Sequence, residues 1–454
     1  MLTRIEIDGF KTFENFKLDL QPFSAIVGPN ASGKSNLFDA LKFLSLLSLH
    51  NIRMAMQGLR GEPEELFRLT GSGPCSEMHF AIEAALDREG RDAFGLKYEV
   101  KSQRLRYELS LKMQHGENRQ PRGTFVTRER CVAIKKRDDE PVFKTLTYGD
   151  RRTPFVETEE DEHGIATAFV VRQDGPSEKG GPKRGMGRRL PAAEASTTAL
   201  STLTTAEFPH LYALRDMLAS TRFLEINPQA ARRPNNRFEE RILRPDASNL
   251  AAVLARLRDE TRTESRSEGV IGDISMDLAT LIPSVHRVEI ADNPAVREYS
   301  FGIATADDLH FSARVISDGT LRLLALLAIL DDPQRHGILC FEEPENGIHE
   351  GRIPTLVTLL RDSVPNAETL AKDRMFQILV NTHSPAVMAA LEPAEIVAAD
   401  SVKVVDPVSK ARQVKTRMRR MPPDAKHRQA EFNWETDLTR QDVENLLRRP
   451  SNEA

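Results

Sequence analysis

Eight consecutive residues near the start of the chain, Gly28-Pro29-Asn30-Ala31-Ser32-Gly33-Lys34-Ser35, set two glycines, a lysine and a hydroxyl at the spacing G-x-x-x-x-G-K-[ST]. That spacing suits a polyphosphate. The glycines let the backbone bend so that successive N–H groups point at phosphate oxygens. Lys34 brings a positive charge to the β- and γ-phosphates, and the Ser35 hydroxyl can bind Mg²⁺. A helix beginning here adds the partial positive charge of its N-terminus. Gly28, Asn30, Ser32, Gly33, Lys34, Ser35 and Asn36 are the candidate nucleotide-binding residues. The loop alone fits kinases, GTPases, helicases and other ATPases equally.

A second group narrows the chemistry. The apolar run "GILCF" at 337–341 ends in Glu342 and Glu343, followed by Pro344. In an open α/β sheet such a strand tip emerges at the carboxyl edge, beside the phosphate loop. Neighbours on a strand point to opposite faces. One carboxylate is therefore expected to face Mg²⁺ through water and the next to face the attacking water. Glu342 takes the metal role and Glu343 the general-base role, since phosphoryl transfer needs little beyond charge neutralisation and an oriented nucleophile. A further apolar strand at 376–380 runs into "NTHSP", which places His383 where it would bond a γ-phosphate or hold the water. A third group, Ser317-Asp318-Gly319-Thr320, opens an otherwise apolar helix. A helix N-terminus with a bare glycine and a hydroxyl is an anion receptor. Ser, Asp and Thr are also good caps, so on the residues alone a plain capped core helix stays open.

The elements around these groups can be read coarsely. Residues 2–8 and 14–20 alternate apolar and polar, as half-buried strands do. Residues 23–27 form a buried strand leading into the glycine-rich turn, and 36–49 carry apolar residues at helical spacing. Between 78 and 147 lie four strand-like runs, "MHFAIEAAL", "RLRYELSLKM", "RCVAIKK" and "VFKTLTY". Residues 172–190 are rich in Gly, Pro and charge and are expected to be disordered or mobile. The stretch 206–282 is mostly helical in pattern, with Ser248 as the expected N-cap of "NLAAVLARLRDE". Strands return after 285. The helix opening at 317, a strand at 337–341, a helix near 351–362 and a strand at 376–380 follow. The expected fold class is α/β: a P-loop NTPase head, with a mixed or parallel sheet flanked by helices, split by a β-rich and then helical insertion. Its expected parts are 1–77 with the phosphate loop, 78–205 as the β-rich insertion, 206–300 as a helical return, 301–400 as the second part of the head, and 401–454 as a tail.

Bulk properties exclude several classes. The 454 residues allow two or three domains, and 40% hydrophobic with 29% charged residues is ordinary globular composition. A net charge of −4 gives no strong overall field for nucleic acid or an anionic membrane. Cys75, Cys131 and Cys340 are far apart, neither a disulfide framework nor a metal cluster, as in a reducing compartment. The longest apolar run, Leu323 to Leu330, falls short of the ~20 residues a membrane helix needs. The opening "MLTRIEIDGFKTF" lacks the apolar core of a secretory signal. A cytoplasmic location without membrane contact is expected.

Taken together, Gly28–Ser35, Ser317–Thr320, the pair Glu342–Glu343 and His383 resemble the ABC-type ATPase superfamily in its SMC/RecF/OLD-like branch. The resemblance covers about 1–75 and 300–400. Less specifically, "RFLEINPQAARRPNN" and "ILRPDASNLAAVLARL" are similar to segments of RecF-like ATPases in anti-phage systems such as Septu, PARIS and Gabija. It implies ATP and Mg²⁺ as cofactors and hydrolysis of ATP to ADP and phosphate. It also implies a head dimer or higher oligomer in which the signature residues Ser317, Asp318, Gly319 and Thr320 of one subunit meet the γ-phosphate held by the other. The implied role is anti-phage defence or DNA repair and maintenance, with a separate effector such as a nuclease or toxin and double-stranded DNA as a further candidate partner. An ATP-gated clamp acting on DNA by itself is the alternative, with the Arg and Lys of 183–189 and 410–420 as phosphate contacts; a free-standing nuclease is the third reading. The middle of the chain lacks the sustained heptads and Cys-x-x-Cys hook of SMC arms, and no Asp-x-Asp follows His383 as in OLD nucleases. Three departures stand out. Glu342 occupies a position where most of the superfamily has Asp. Asp318 interrupts Ser-Gly-Gly, so its carboxylate is expected to point away from a γ-phosphate. No glutamine is assigned as the metal-sensing one.

Overall fold

The computed structural model describes residues 1–71, 73–115, 121–174, 187–405, 412–421 and 439–448. Its centre is a six-stranded sheet in the order Arg222–Leu224, Gly337–Glu342, Phe376–Thr382, Phe23–Val27, Ile396–Val405 and Arg412–Arg420. The first five strands are parallel, and the sixth returns antiparallel to the fifth. Parallel strands covered on both faces read as continuous apolar runs. Alternate side chains feed two separate cores: Ile338 and Cys340 enter one, Leu339 and Phe341 the other. The first core holds the helices Lys34–Leu47 and Pro209–Ala219. The second holds Leu250–Thr261, Ile271–Leu281, Asp318–Leu330 and Ile353–Asp362. Helix Asp318–Leu330 is buried nearly all round, which is why it has no polar face.

A second sheet is wholly antiparallel. Its order is Gly187–Pro191, Ala166–Arg172, Val156–Glu160, Pro121–Ala133, Arg104–His115, Glu77–Ala85, Leu2–Asp8 and Phe16–Asp19. The strands between 77 and 191 thus extend the sheet begun by the first two strands of the chain. Its inner face shares a core with helix Lys34–Leu47, so that helix is held between the two sheets. The outer face carries a ladder of charge: Arg106 binds Glu6 at 3.0 Å, Glu83 at 3.2 Å and Glu108 at 2.9 Å, and Arg4 binds Glu6 at 2.8 Å and Asp19 at 3.0 Å.

Several expectations are corrected. "VFKTLTY" is not a strand: Pro141–Thr145 is a 3₁₀ helix, started by a proline and anchored by Phe143 beneath the buried Arg104 guanidinium, 4.2 Å from the ring centre. The segment 172–190 is not loose at its ends. Gly187–Pro191 pairs with Ala166–Arg172, because an edge strand needs only main-chain partners; 175–186 lie outside the described residues. Arg222–Leu224 joins the central sheet from within the stretch expected to be helical. Helix Leu250–Thr261 follows Asn249, not Ser248. The Asn249 amide turns back to Arg244 N and the carbonyls of Glu240 and Ile242, closing the preceding turn. Beyond residue 390 the chain adds two more strands, Ile396–Val405 and Arg412–Arg420, the fifth and sixth of the central sheet.

Candidate functional site

Pairing registers bring the chemical groups to one edge. Val27 pairs with Thr382, and Glu342 with Asn381, so three adjacent strands end together. The phosphate loop, residues 381–383 and the acids 342–345 all leave the sheet at that carboxyl edge. Gly33 has φ +91° and stands just before helix Lys34–Leu47. Both loop glycines also lie against the C-terminal hairpin: a Cβ at Gly28 would strike the Ala399 carbonyl, and one at Gly33 the Thr416 side chain. Thr416 Oγ1 lies 2.6 Å from Thr12 Oγ1, which accepts the Asn36 amide at 2.8 Å.

Within the loop, Asn30 is exposed and Ser32 is buried, its Oγ without a hydrogen-bond partner among the described residues. Ser35 and Asn36 are half-buried in the first helical turn. Lys34 donates to the carbonyls of Gly28 at 2.7 Å and Pro29 at 2.8 Å. Burial pushes its ammonium down from the usual lysine value, opposed by the charges of Glu343, Glu342 and Glu345. These features fit a nucleotide and its cation. The loop offers an orphaned buried hydroxyl, a lysine and a helix N-terminus to phosphate, and Ser35 with Glu342 makes a hard-oxygen set suited to Mg²⁺.

The acids are arranged differently from simple strand alternation. The strand ends at Glu342, whose Oε1 accepts from Asn381 Nδ2 at 3.0 Å. Glu343 sits in the left-handed region, φ +49°, with its N–H on the Asn381 carbonyl at 2.9 Å. The chain has already turned out of the sheet there, since Pro344 has no N–H to continue the ladder. Such backbone strain collects at functional sites. Glu343 Oε1 lies 2.9 Å from His383 Nδ1, and Oε2 accepts from Asn346 at 2.7 Å. His383 is exposed and half-faces solvent.

Sequence reasoning missed Glu345. Its Oε1 accepts from the Thr382 hydroxyl at 2.5 Å, and its buried Oε2 has no partner among the described residues. Burial pushes its carboxyl up, and the charge of Glu343 pushes the same way. The spacing Glu-Glu-Pro-Glu was the available signal.

The signature residues are engaged elsewhere. Ser317 is the N-cap of helix Asp318–Leu330: its Oγ accepts from Thr320 N at 3.2 Å and lies 2.7 Å from Thr320 Oγ1. Asp318 binds Arg232 at 2.5 Å. A Cβ on Gly319 would come within 2.6 Å of the Gly347 carbonyl, so the helix start rests on the turn just beyond the acids. No hydrogen bond joins 317–320 to Gly28–Ser35 among the described residues.

The basic residues suggested for DNA are largely paired: Arg417 with Asp400 at 2.9 Å, Lys415 with Glu14, and Arg189 with Glu159 at 2.5 Å. Residues 183–186 and 410–411 lie outside the described residues. Among the described residues no helix is long and apolar enough to cross a membrane.

A phosphate loop between a strand and a helix, with acids and a histidine just at or beyond the tips of two other parallel strands of the same sheet, makes this a P-loop protein of the ABC-type ATPase class. The family model described as "AAA domain, putative AbiEii toxin, Type IV TA system" matches residues 23–389, and the chain belongs to that family. Among curated proteins, the DNA replication and repair protein RecF of Lactococcus lactis subsp. cremoris (strain MG1363) is 30% identical over 93 residues, 20% of this chain and 26% of that protein. The chromosome partition protein Smc of Methanocaldococcus jannaschii is 52% identical over 44 residues, 10% of this chain and 4% of that one. The matches thus span 26% or less of these relatives' own length. A solved SMC head bound to the C-terminal winged-helix domain of ScpA aligns over 92% of this chain and 97% of its own, at 13% identity and a TM-score of 0.48.

Proposed function

We propose that the chain hydrolyses ATP to ADP and phosphate and that two copies share the reaction. One copy holds the nucleotide on Gly28–Ser35, and the other presents Ser317–Thr320 to its γ-phosphate. The observation that carries the catalytic part is the strained Glu343, touching His383 at the edge where the phosphate loop opens. A water oxygen attacks the γ-phosphorus, the bond to the bridging oxygen breaks, and the water's proton passes to Glu343. His383 orients that carboxylate and the water. Ser35 and Glu342 would hold Mg²⁺, which when bound neutralises charge on the phosphates. A cleft lined by Lys11, Thr12, Asn36 and Arg60 opens next to the first turn of helix Lys34–Leu47 and is the candidate place for the base and ribose.

ATP then acts as a reversible cross-link between heads, and hydrolysis releases it. The relatives named for DNA replication, repair and chromosome partition support a role in DNA maintenance, and the family's toxin–antitoxin description supports defence. In either setting a separate effector, such as a nuclease or toxin, reads the change of state. Direct clamping of DNA is the weaker reading, because in the basic strand Arg412–Arg420 Lys415 pairs with Glu14, and Arg417 and Arg419 with Asp400. The test is Glu343→Gln. It is expected to bind ATP, to lose hydrolysis by about 10²-fold or more, and to accumulate an ATP-bound dimer by light scattering. Wild-type turnover in that variant refutes the reading.

A further inference from the structure

We propose that Arg232 is a positioning residue for the phosphate-receiving end of helix Asp318–Leu330. It holds the Asp318 carboxylate aside so that a nucleotide phosphate carried by a second copy of the chain can approach Ser317 and Gly319. This rests on the reading above that the two copies share the site.

The chemistry poses a conflict. An acidic residue in the first turn stabilises its own helix through the dipole, but it repels an anion arriving at the same N-terminus. Asp318 is that residue, and its side chain is 68% exposed. The Arg232 side chain is 21% exposed, tucked behind it. One nitrogen, Nη2, donates both to the Ile316 carbonyl at 2.8 Å and to Asp318 Oδ1 at 2.5 Å. The arginine is held by local structure. It ends the short helix Pro228–Ala231, which Asn227 caps through the N–H groups of Gln229 at 3.0 Å and Ala230 at 3.2 Å. The guanidinium therefore does two separable things. It fixes the backbone leading into the helix, through Ile316. It also pairs with Asp318, the acidic residue of the helix's own first turn. The other groups of that mouth, the Ser317 and Thr320 hydroxyls and the bare Gly319, carry no charge. With the pair intact the approaching phosphate meets a first turn whose acid is neutralised; without it, an exposed carboxylate.

The two roles separate by experiment. In Arg232→Gln, ATP-dependent association of heads is expected to need about tenfold more protein, with hydrolysis at fixed protein falling in step. Binding of a fluorescent ATP analogue by the dilute single chain is expected to be unchanged. The defect should shrink as salt rises and screens Asp318. Adding Asp318→Asn to Arg232→Gln should restore association to within about twofold of wild type, because the repelling charge is gone although the Ile316 contact is still missing. If the double variant is no better than Arg232→Gln, or if Arg232→Gln associates like wild type, the proposal falls. Ser317→Arg separates this from failure of the shared site. Wild-type hydrolysis by Ser317→Arg sinks the shared site itself. An inactive Ser317→Arg beside a normal Arg232→Gln sinks only the role of Arg232.

Discussion

The two largest sheets of the molecule dispose of charge in opposite ways. The adjacent strands Phe23–Val27, Phe376–Thr382 and Gly337–Glu342 carry a single charged residue, Glu342, at the very tip. Their interiors are buried on both faces, so ionisable groups collect where the strands end. The antiparallel sheet has one solvated face and spreads its charges across it as the ladder Asp19–Arg4–Glu6–Arg106–Glu83. A charge on that face has water and several partners, so losing one matters little. A charge at the tips has few substitutes. The same residue types are therefore gathered at one edge in one sheet and spread over a solvated face in the other.

That contrast can be broken from either side. The largest effect is expected from Lys34→Ala, which removes the only loop cation and should abolish measurable ATP binding in a filter or fluorescence assay. Retained affinity would mean that the tips are not the nucleotide site. Next is Gly319→Ala. Its methyl has no room against Gly347, so the helix start must shift relative to the acid-bearing turn. Hydrolysis is expected to fall about tenfold or more, with ATP affinity of the single chain preserved. Equal activity would show that the contact is slack. The smallest effect is expected from Arg106→Ala on the ladder: about 1 kcal/mol or less of stability in denaturant, and unaltered hydrolysis.

Acid sharpens the same comparison. Burial raises the Glu6 carboxyl, but hydrogen bonds from Arg106 and Arg4 outweigh it and bring the group down to about 2 from an ordinary 4.5. A carboxyl held lower in the folded state contributes stability that is complete above its unfolded value. That contribution is lost as pH falls from there towards about 2. Arg106→Ala should flatten the stability–pH curve in that window: its deficit is full near neutrality and shrinks as the pH falls towards about 2. An unaltered acid limb would remove Glu6 from the account.

Legibility in the sequence follows range. Gly28–Ser35 and the strand ends at 342 and 382 declare themselves, because a buried strand meeting a polar turn is a local pattern. The left-handed turn at Glu343 was half legible: Pro344 forbids continuation of the ladder, yet nothing local gives the sign of φ. Glu345 lacked an apolar flank to mark it. Arg232 and Thr416 were beyond reach, since each matters through a partner far away in the chain, Asp318 for one and Thr12 for the other. The strand Gly187–Pro191 was hidden because pairing at an edge asks almost nothing of side chains.

The seat of Gly28 and Gly33 on Ala399 and Thr416 bears on how the protein comes into being. Thr12, which braces Thr416, precedes it by 404 positions. On the ribosome the phosphate loop therefore emerges early but stays without its backing until residue 416 has followed it. A chain cut short before Ala399 and Thr416 therefore lacks the surface on which Gly28 and Gly33 sit.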